Sequence, residues 1–288
     1  MMNGGSLDRK AKLLHIESLA LAESMRGGAF RSLRTGQGIE FSDVREYLPG
    51  DGVRSIDWNV SARMGRTFVK QYEEDRELTV FFVLDCSRSM GGRLSALAEA
   101  ASLLLLASRR NGASVGAVFF DGGIRHSFVP AGTGDTAFAI LAQLRALSGG
   151  NCGGSGGTAL ASALKGAANM LKRRALVFVV SDFRAAQWRR ELAYLSHRND
   201  LVAIRVVDDS DSELPDVGFV DFSDSESGRV EKVPTFSKAF RRFWRDRNRA
   251  AMDTWRSFCL THGAFPLTLN TKDDVLLVLS RFFEQRRR

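Results

Sequence analysis

Oxygen-bearing side chains stand at alternate positions in Asp85-Cys86-Ser87-Arg88-Ser89, directly after the apolar run Phe81-Phe82-Val83-Leu84. A second acid, Asp182, follows another apolar run, Val177 to Val180, with Ser181 between. Thr158 closes the glycine-rich stretch of residues 149–157 and opens a helical pattern. Three chemistries compete for such a set: a nucleophile, a helix cap, or a cage for a hard cation. Magnesium prefers oxygen ligands in near-octahedral geometry and keeps several of its waters. Alternate serines on a tight loop can aim two hydroxyls at one point beside a strand end. Neutral hydroxyls leave the ion much of its charge, so it would seek an outside carboxylate, which suits docking of a partner's Asp or Glu. Two carboxylates about 5 Å apart repel by roughly 3 kcal/mol at an effective dielectric of 20, and a divalent ion would remove that conflict.

Capping competes residue by residue. Ser87 or Ser89 could accept from the first N–H groups of a helix beginning near Gly91, Asp85 could brace the turn, and Thr158 alone would be an ordinary N-cap. Asp85, both serines and Asp182 together favour the cage, with Thr158 joining them if it lies at the same rim. Catalysis is weaker. Ser87 lacks the Gly-x-Ser-x-Gly setting of a hydrolase elbow. His15, His126, His197 and His262 are scattered, with no ligand spacing and no nucleophile partner. The glycine-rich stretch lacks the Lys of a phosphate-binding loop. A magnesium-dependent phosphohydrolase of haloacid-dehalogenase type also uses a strand-end Asp, and Asp208-Asp209 could mimic its later acidic motif. That chemistry needs a second acid where this chain has Ser87. The chain is therefore expected not to be an enzyme.

Such groups work together only if several strands end at one rim. From residue 78 onward, apolar runs of strand length alternate with helical patterns: 78–84, 93–110, 114–120, 124–130, 135–147, 158–173, 175–180, 185–198 and 201–207. This order predicts an α/β fold, a doubly wound, mainly parallel sheet covered on both faces. The hairpin turning at Asp121-Gly122-Gly123 adds one antiparallel edge strand. A further hairpin is expected near 215–234, then a long helix from about Phe236, a strand and a final helix. In open sheets of this kind ligands bind beyond the carboxyl ends of the strands.

Residues 1–77 read differently: a helix over 8–25, then short strands and loops rich in glycine and turn signals such as Pro49-Gly50 and Asp51-Gly52. They form an amino-terminal arm expected to pack on the domain of residues 78–288. The composition, 44% hydrophobic and 26% charged, is that of an ordinary globular protein. A net charge of +8 leaves acidic partners, nucleic acid and anionic membrane surfaces open. In the long helix, Phe240, Phe243, Trp244, Ala251, Trp255, Phe258 and Cys259 recur at helical spacing and predict a core stripe, with the arginines on the wet face. Binding of nucleic acid through that helix is an alternative, though no binding module is legible. The sequence offers no signal peptide and no run near the roughly 20 apolar residues of a membrane span. Three widely spaced cysteines fit a reduced, cytoplasmic protein. Cys86 and Cys152 lie on loops expected to border the rim, where oxidation could couple to binding; two small residues in tight loops is the plainer account.

Asp85-Cys-Ser-Arg-Ser89, Gly157-Thr158 and Ser181-Asp182 resemble the metal-ion-dependent adhesion site of von Willebrand factor A domains. That resemblance implies a Rossmann-type fold, Mg2+ or Mn2+ held by Asp85, Ser87, Ser89, Thr158 and Asp182, and a partner's acid completing the coordination. Upstream, GQGIEFSDVREYLPGDGVRSIDWNVSAR, residues 36–63, closely resembles domain-of-unknown-function family fifty-eight. Gly52 stands where that family often has a second acid, and many relatives carry membrane helices that this sequence does not offer. The family resemblance implies a bacterial protein working beside a MoxR-type AAA+ ATPase, as an adaptor in assembling or activating other proteins. Within the arm, Arg45, Tyr47, Asp51, Arg54, Asp57, Trp58 and Arg63 are expected to stitch it to the sheet rather than to form a second active site.

Overall fold

Alternation in the sequence becomes strand pairing from Thr35 onward; the computed structural model describes residues 35–48, 51–52, 55–75, 78–148, 159–214, 216–223 and 230–285. The helix expected over 8–25 lies outside the described residues. Strand β1 (Thr35–Glu46) pairs antiparallel with β2 (Phe68–Asp75). Between them lies the short helix α1 (Trp58–Met64). Asp57 starts α1 by accepting from the N–H groups of Asn59 and Val60, and Gly65, at φ +67°, ends it.

The main domain follows. Strand β3 (Thr79–Asp85) leads through a 3-10 turn (Arg88–Arg93) into α2 (Leu94–Arg110). Then come β4 (Ser114–Phe120), β5 (Ile124–Ala131), α3 (Gly134–Ser148), α4 (Leu160–Met170), β6 (Leu176–Ser181), α5 (Arg189–Arg198) and β7 (Asp200–Val207). The chain continues through α6 (Asp209–Ser212), the hairpin β8 (Phe219–Ser223) and β9 (Val230–Pro234), α7 (Lys238–Thr261), β10 (Phe265–Asn270) and α8 (Val275–Gln285).

Six strands form one sheet in the order β10-β7-β6-β3-β4-β5, all parallel except the edge strand β5, which runs antiparallel to β4. Period-two alternation divides the core. Val80, Phe82 and Leu84 of β3 face α2, α3 and α8, while Phe81 and Val83 face α4, α5 and α7. Gly116 of β4 has a steric cause: a Cβ there would lie 2.7 Å from the Phe128 carbonyl oxygen of β5. The doubly wound α/β fold is as expected, antiparallel edge and β8–β9 hairpin included. From β3 the chain winds outward to β4 and β5, then returns to the other side of β3 as β6. The crevice of such a sheet opens where the winding reverses, between the carboxyl ends of β3 and β6.

Two expectations fail. Arg88–Arg110, which includes α2, holds an 18-residue window long and apolar enough by length and composition to cross a membrane, contrary to the sequence reading. Its apolar surface is spent on the sheet, however, with 67% of that window buried and Leu97, Leu103, Leu104 and Leu105 fully enclosed. The stripe of α7 is also only half a core stripe. Trp255 and Cys259 are buried and Met252 and Phe258 pack beside them, but Phe243 is 59% exposed. The cause is length. At 1.5 Å per residue α7 runs about 36 Å, against about 20–27 Å for strands of six to eight residues, so its first turns outrun the sheet.

Candidate functional site

Asp85 ends β3 with its side chain fully buried. One oxygen, Oδ1, accepts the N–H of Ser87 at 3.0 Å and braces the loop. The other, Oδ2, accepts the Ser181 hydroxyl at 2.6 Å, because the β3–β6 register sets Leu84 beside Val180 and so brings the two strand ends level. Ser87 has the extended conformation of an N-cap before the 3-10 turn, yet its hydroxyl makes no capping bond. It meets the Ser89 hydroxyl instead, at 3.0 Å. The brace foreseen for Asp85 is present; the cap foreseen for Ser87 is not. Two hydrogen-bonded hydroxyls thus stand beside a buried acid.

Asp182 follows β6 and is buried as well. Its Oδ1 accepts the Arg184 N–H at 3.0 Å, repeating the brace seen at Asp85. Its Oδ2 is buried with no hydrogen-bond partner. The Arg184 Nε lies 3.9 Å away, beyond hydrogen-bond reach. A buried carboxylate oxygen without a donor is costly and rare in folded proteins. Next to it Phe183 adopts φ +54°, an outlier for a bulky residue, held by ring contacts with Trp188 at 5.2 Å and Trp255 at 5.5 Å. Packing thus holds an unfavourable turn that places Asp182 at the crevice, a pattern typical of functional sites.

Burial pushes the Asp85 carboxyl up to about 6 from 3.8, and the charge of Asp182 adds to the rise. Hydrogen bonds from Ser181 and Ser87 oppose it. Burial, more than the repulsion anticipated for paired carboxylates, thus leaves Asp85 an acid that takes a proton near pH 6. Among the described residues no three or more His, Cys, Asp or Glu side chains are grouped so as to hold a metal ion. Two acids with hydroxyls suit Mg2+ or Mn2+ rather than a zinc site built from Cys and His. The orphaned Asp182 oxygen and the serine pair fit such an ion. Thr158 lies outside the described residues, as does Cys152. Ala159, the first residue described beyond the glycine-rich stretch, donates its N–H to the Asp121 carbonyl at the end of β4, at 2.6 Å.

The sequence reading missed the residues that lock the two loops together. Arg93 donates to the Ser89 carbonyl at 3.0 Å and to both oxygens of Asp211 at 2.8 and 2.9 Å. Arg184 reaches Asp211 Oδ1 from the other loop. Asp211 therefore clamps the Ser89 loop to the Asp182 loop, and it sits at the third position of a capping box begun by Asp208. That Asp-x-x-Asp spacing was the signal available. The acids that the sequence reading set beside a dehalogenase-like motif have structural partners. Asp208 accepts from Ser210 and Thr271, and Asp209 from Asn270 and Lys272, so both serve α6 and the loop after β10.

Cys86 is buried in the core on the α2 side, donating to the Leu84 carbonyl at 3.7 Å, rather than lying open at the rim. In the arm, Arg45 grips Asp51 through two bonds of 2.7 and 2.6 Å, and Asp51 accepts the Leu48 N–H. The Arg45 bonds hold the Asp51 carboxyl below its usual range. Ser61 accepts the Phe68 N–H and donates to the Asp57 carbonyl. Among the described residues Arg45, Asp51 and Asp57 make these bonds within the arm; Trp58 is exposed and Arg54 lies outside the described residues.

Among solved structures, the chain is similar to BatB from Bacteroides thetaiotaomicron, at a TM-score of 0.47 and 14% identity over 73% of this chain and 98% of that one. It is also similar to a von Willebrand factor type A protein from Catenulispora acidiphila, at a TM-score of 0.41 and 12% identity over 76% and 43%. The sheet order, not these distant likenesses, carries the fold. In sequence, it is 33% identical over 304 residues to Uncharacterized protein Mb1516 of Mycobacterium bovis, covering all of this chain and 93% of that protein. It is 32% identical over 130 residues to Uncharacterized protein MAV169 of Mycobacterium avium, covering 45% and 76%. A family model described as Protein of unknown function DUF58 matches residues 43–254, from within the arm's signature into α7, and the chain belongs to that family.

Proposed function

We propose that this chain is a non-enzymatic protein that binds protein partners through a divalent cation at the β3–β6 crevice. The observation that carries this is Asp182 Oδ2, a buried carboxylate oxygen without a donor, at the rim where Asp85, Ser87 and Ser89 gather. Asp85, Ser87, Ser89 and Asp182, with Thr158, would hold Mg2+ or Mn2+, which would offer a positive centre to a partner's Asp or Glu. Asp85 and Asp182 each spend one oxygen bracing their own loop, and Asp211 fixes the spacing between loops. A partnership with a MoxR-type AAA+ ATPase, in assembly or activation of other proteins at a cytoplasmic location, extends this proposal on the strength of family resemblance. Capture from lysate tests it with wild-type chain in Mg2+, the same chain in chelator, and Asp85→Ala. Partners retained in the first arm and lost in the other two are expected. The same partners in all three would overturn metal-dependent docking.

A further inference from the structure

The turns of α7 that outrun the sheet begin at the rim of the crevice. Trp244 Nε1 donates to the Ser210 carbonyl at 3.0 Å, next to the Asp211 that clamps both loops. Arg241 reaches Asp216 at 2.7 Å and so brings the base of the β8–β9 hairpin beside α7. The surface between carries large rings in water. Phe219, Phe236 and Phe243 are 66%, 51% and 59% exposed. Phe219 meets Phe236 at 5.2 Å, and Phe240 meets Phe243 at 6.5 Å and Trp244 at 6.4 Å. Isolated exposed apolar residues are normal, whereas aromatic rings gathered beside a polar crevice mark a binding surface.

Charge identifies the occupant. From Lys238 to Arg249 the helix carries six basic residues and one acid, Asp246. Arg241 and Arg242 face Asp216 and Asp246, while Arg245, Arg247 and Arg249 are exposed and form no ion pair among the described residues. A nucleic acid would also answer to positive charge, but it stacks its bases on open ring faces. Here Phe219 and Phe236 stand edge to face at 72°, so the two rings do not offer parallel faces between which a base would stack. We infer that this surface docks an acidic segment of a protein partner carrying aromatic or aliphatic anchors. The inference rests on the metal-dependent docking proposed above: Trp244 bonds Ser210 beside the Asp211 that clamps the crevice loops, so one segment lying on the rings would offer its carboxylate to the crevice. The exposed rings would cover the partner's apolar anchors, and the arginines select against basic competitors.

A displayed library of random 12-residue peptides, selected on the full chain in Mn2+, tests this directly. Enriched peptides should combine Asp or Glu with Phe, Trp or Leu. They should bind the Phe219→Ser/Phe243→Ser and Arg245→Glu/Arg249→Glu variants at least tenfold more weakly, while both variants bind Mn2+ as wild type does. No enrichment, or enriched peptides indifferent to both variants, would overturn the inference. So would a 20-nucleotide oligouridine that displaces the peptides, or a self-dimer lost in the Phe219→Ser/Phe243→Ser variant. Mn2+ binding without variant-sensitive peptides rejects this surface alone. Variant-sensitive peptides without Mn2+ binding reject the metal site and leave the surface standing.

Discussion

Replacing Asp85 with Asn should stabilise the metal-free protein and destabilise the metal-loaded one relative to wild type. Burial raises the Asp85 carboxyl from 3.8 to about 6, so the native state disfavours the ionised form. That displacement corresponds to about 3 kcal/mol. For an acid raised on folding, this cost is fully present above pH 6, shrinks as pH falls through 6, and is gone below the unfolded value of 3.8. Asn at 85 carries no charge to bury. It can still accept the Ser87 N–H, but its amide group would face the Ser181 hydroxyl, which now donates to Asp85 Oδ2. Leaving that hydroxyl hydrogen unpaired takes back roughly 1 kcal/mol or more. In chelator at pH 7.5, urea unfolding should therefore find Asp85→Asn about 1–2 kcal/mol more stable, with the gap closing by pH 4. With Mg2+ at a hundredfold excess over its dissociation constant, wild type gains about 2.7 kcal/mol and the variant little, reversing the order. A variant no more stable than wild type in chelator, or equal stabilisation of both by Mg2+, would refute this account of the buried acid.

Asp211→Ala removes the joint between the Arg93 and Arg184 side chains. It should weaken Mn2+ binding about tenfold or more by calorimetric titration, the range seen when groups that orient ligands are lost. Gly116→Ala presses a Cβ against the Phe128 carbonyl, the Pro130 nitrogen and the Phe81 ring. Thermal or urea unfolding should show a loss of about 1–3 kcal/mol, the usual result of overpacking.

The sheet was legible because its strands are short apolar runs of β-branched and aromatic residues, and period two fixes their two faces whatever lies opposite. Val80 to Leu84 and Leu176 to Val180 are buried on both sides, as such runs require. Helical periodicity carries less. It shows that Phe240, Phe243 and Trp244 share a face with Trp255, but not that the sheet ends before reaching them. The hydropathy of residues 88–110 likewise reports an apolar helix and not whether lipid or a sheet covers it. At the site, Asp85, Ser87, Ser89 and Asp182 were readable from local spacing at strand ends. Ser181 acts through the β3–β6 register, and Arg93 pairs with Asp211 across 118 residues of sequence, so no local pattern announces either role.

The central claim is tested most directly by counting Mn2+ on the chelator-treated full chain, using the electron paramagnetic resonance of free Mn2+ during titration. One tight site per chain is predicted for wild type, weakened by Thr158→Ala and abolished by Asp85→Ala and by Asp182→Ala, with Mg2+ competing. Wild type that binds no Mn2+, or Asp85→Ala and Asp182→Ala variants that bind it as wild type does, would contradict the account.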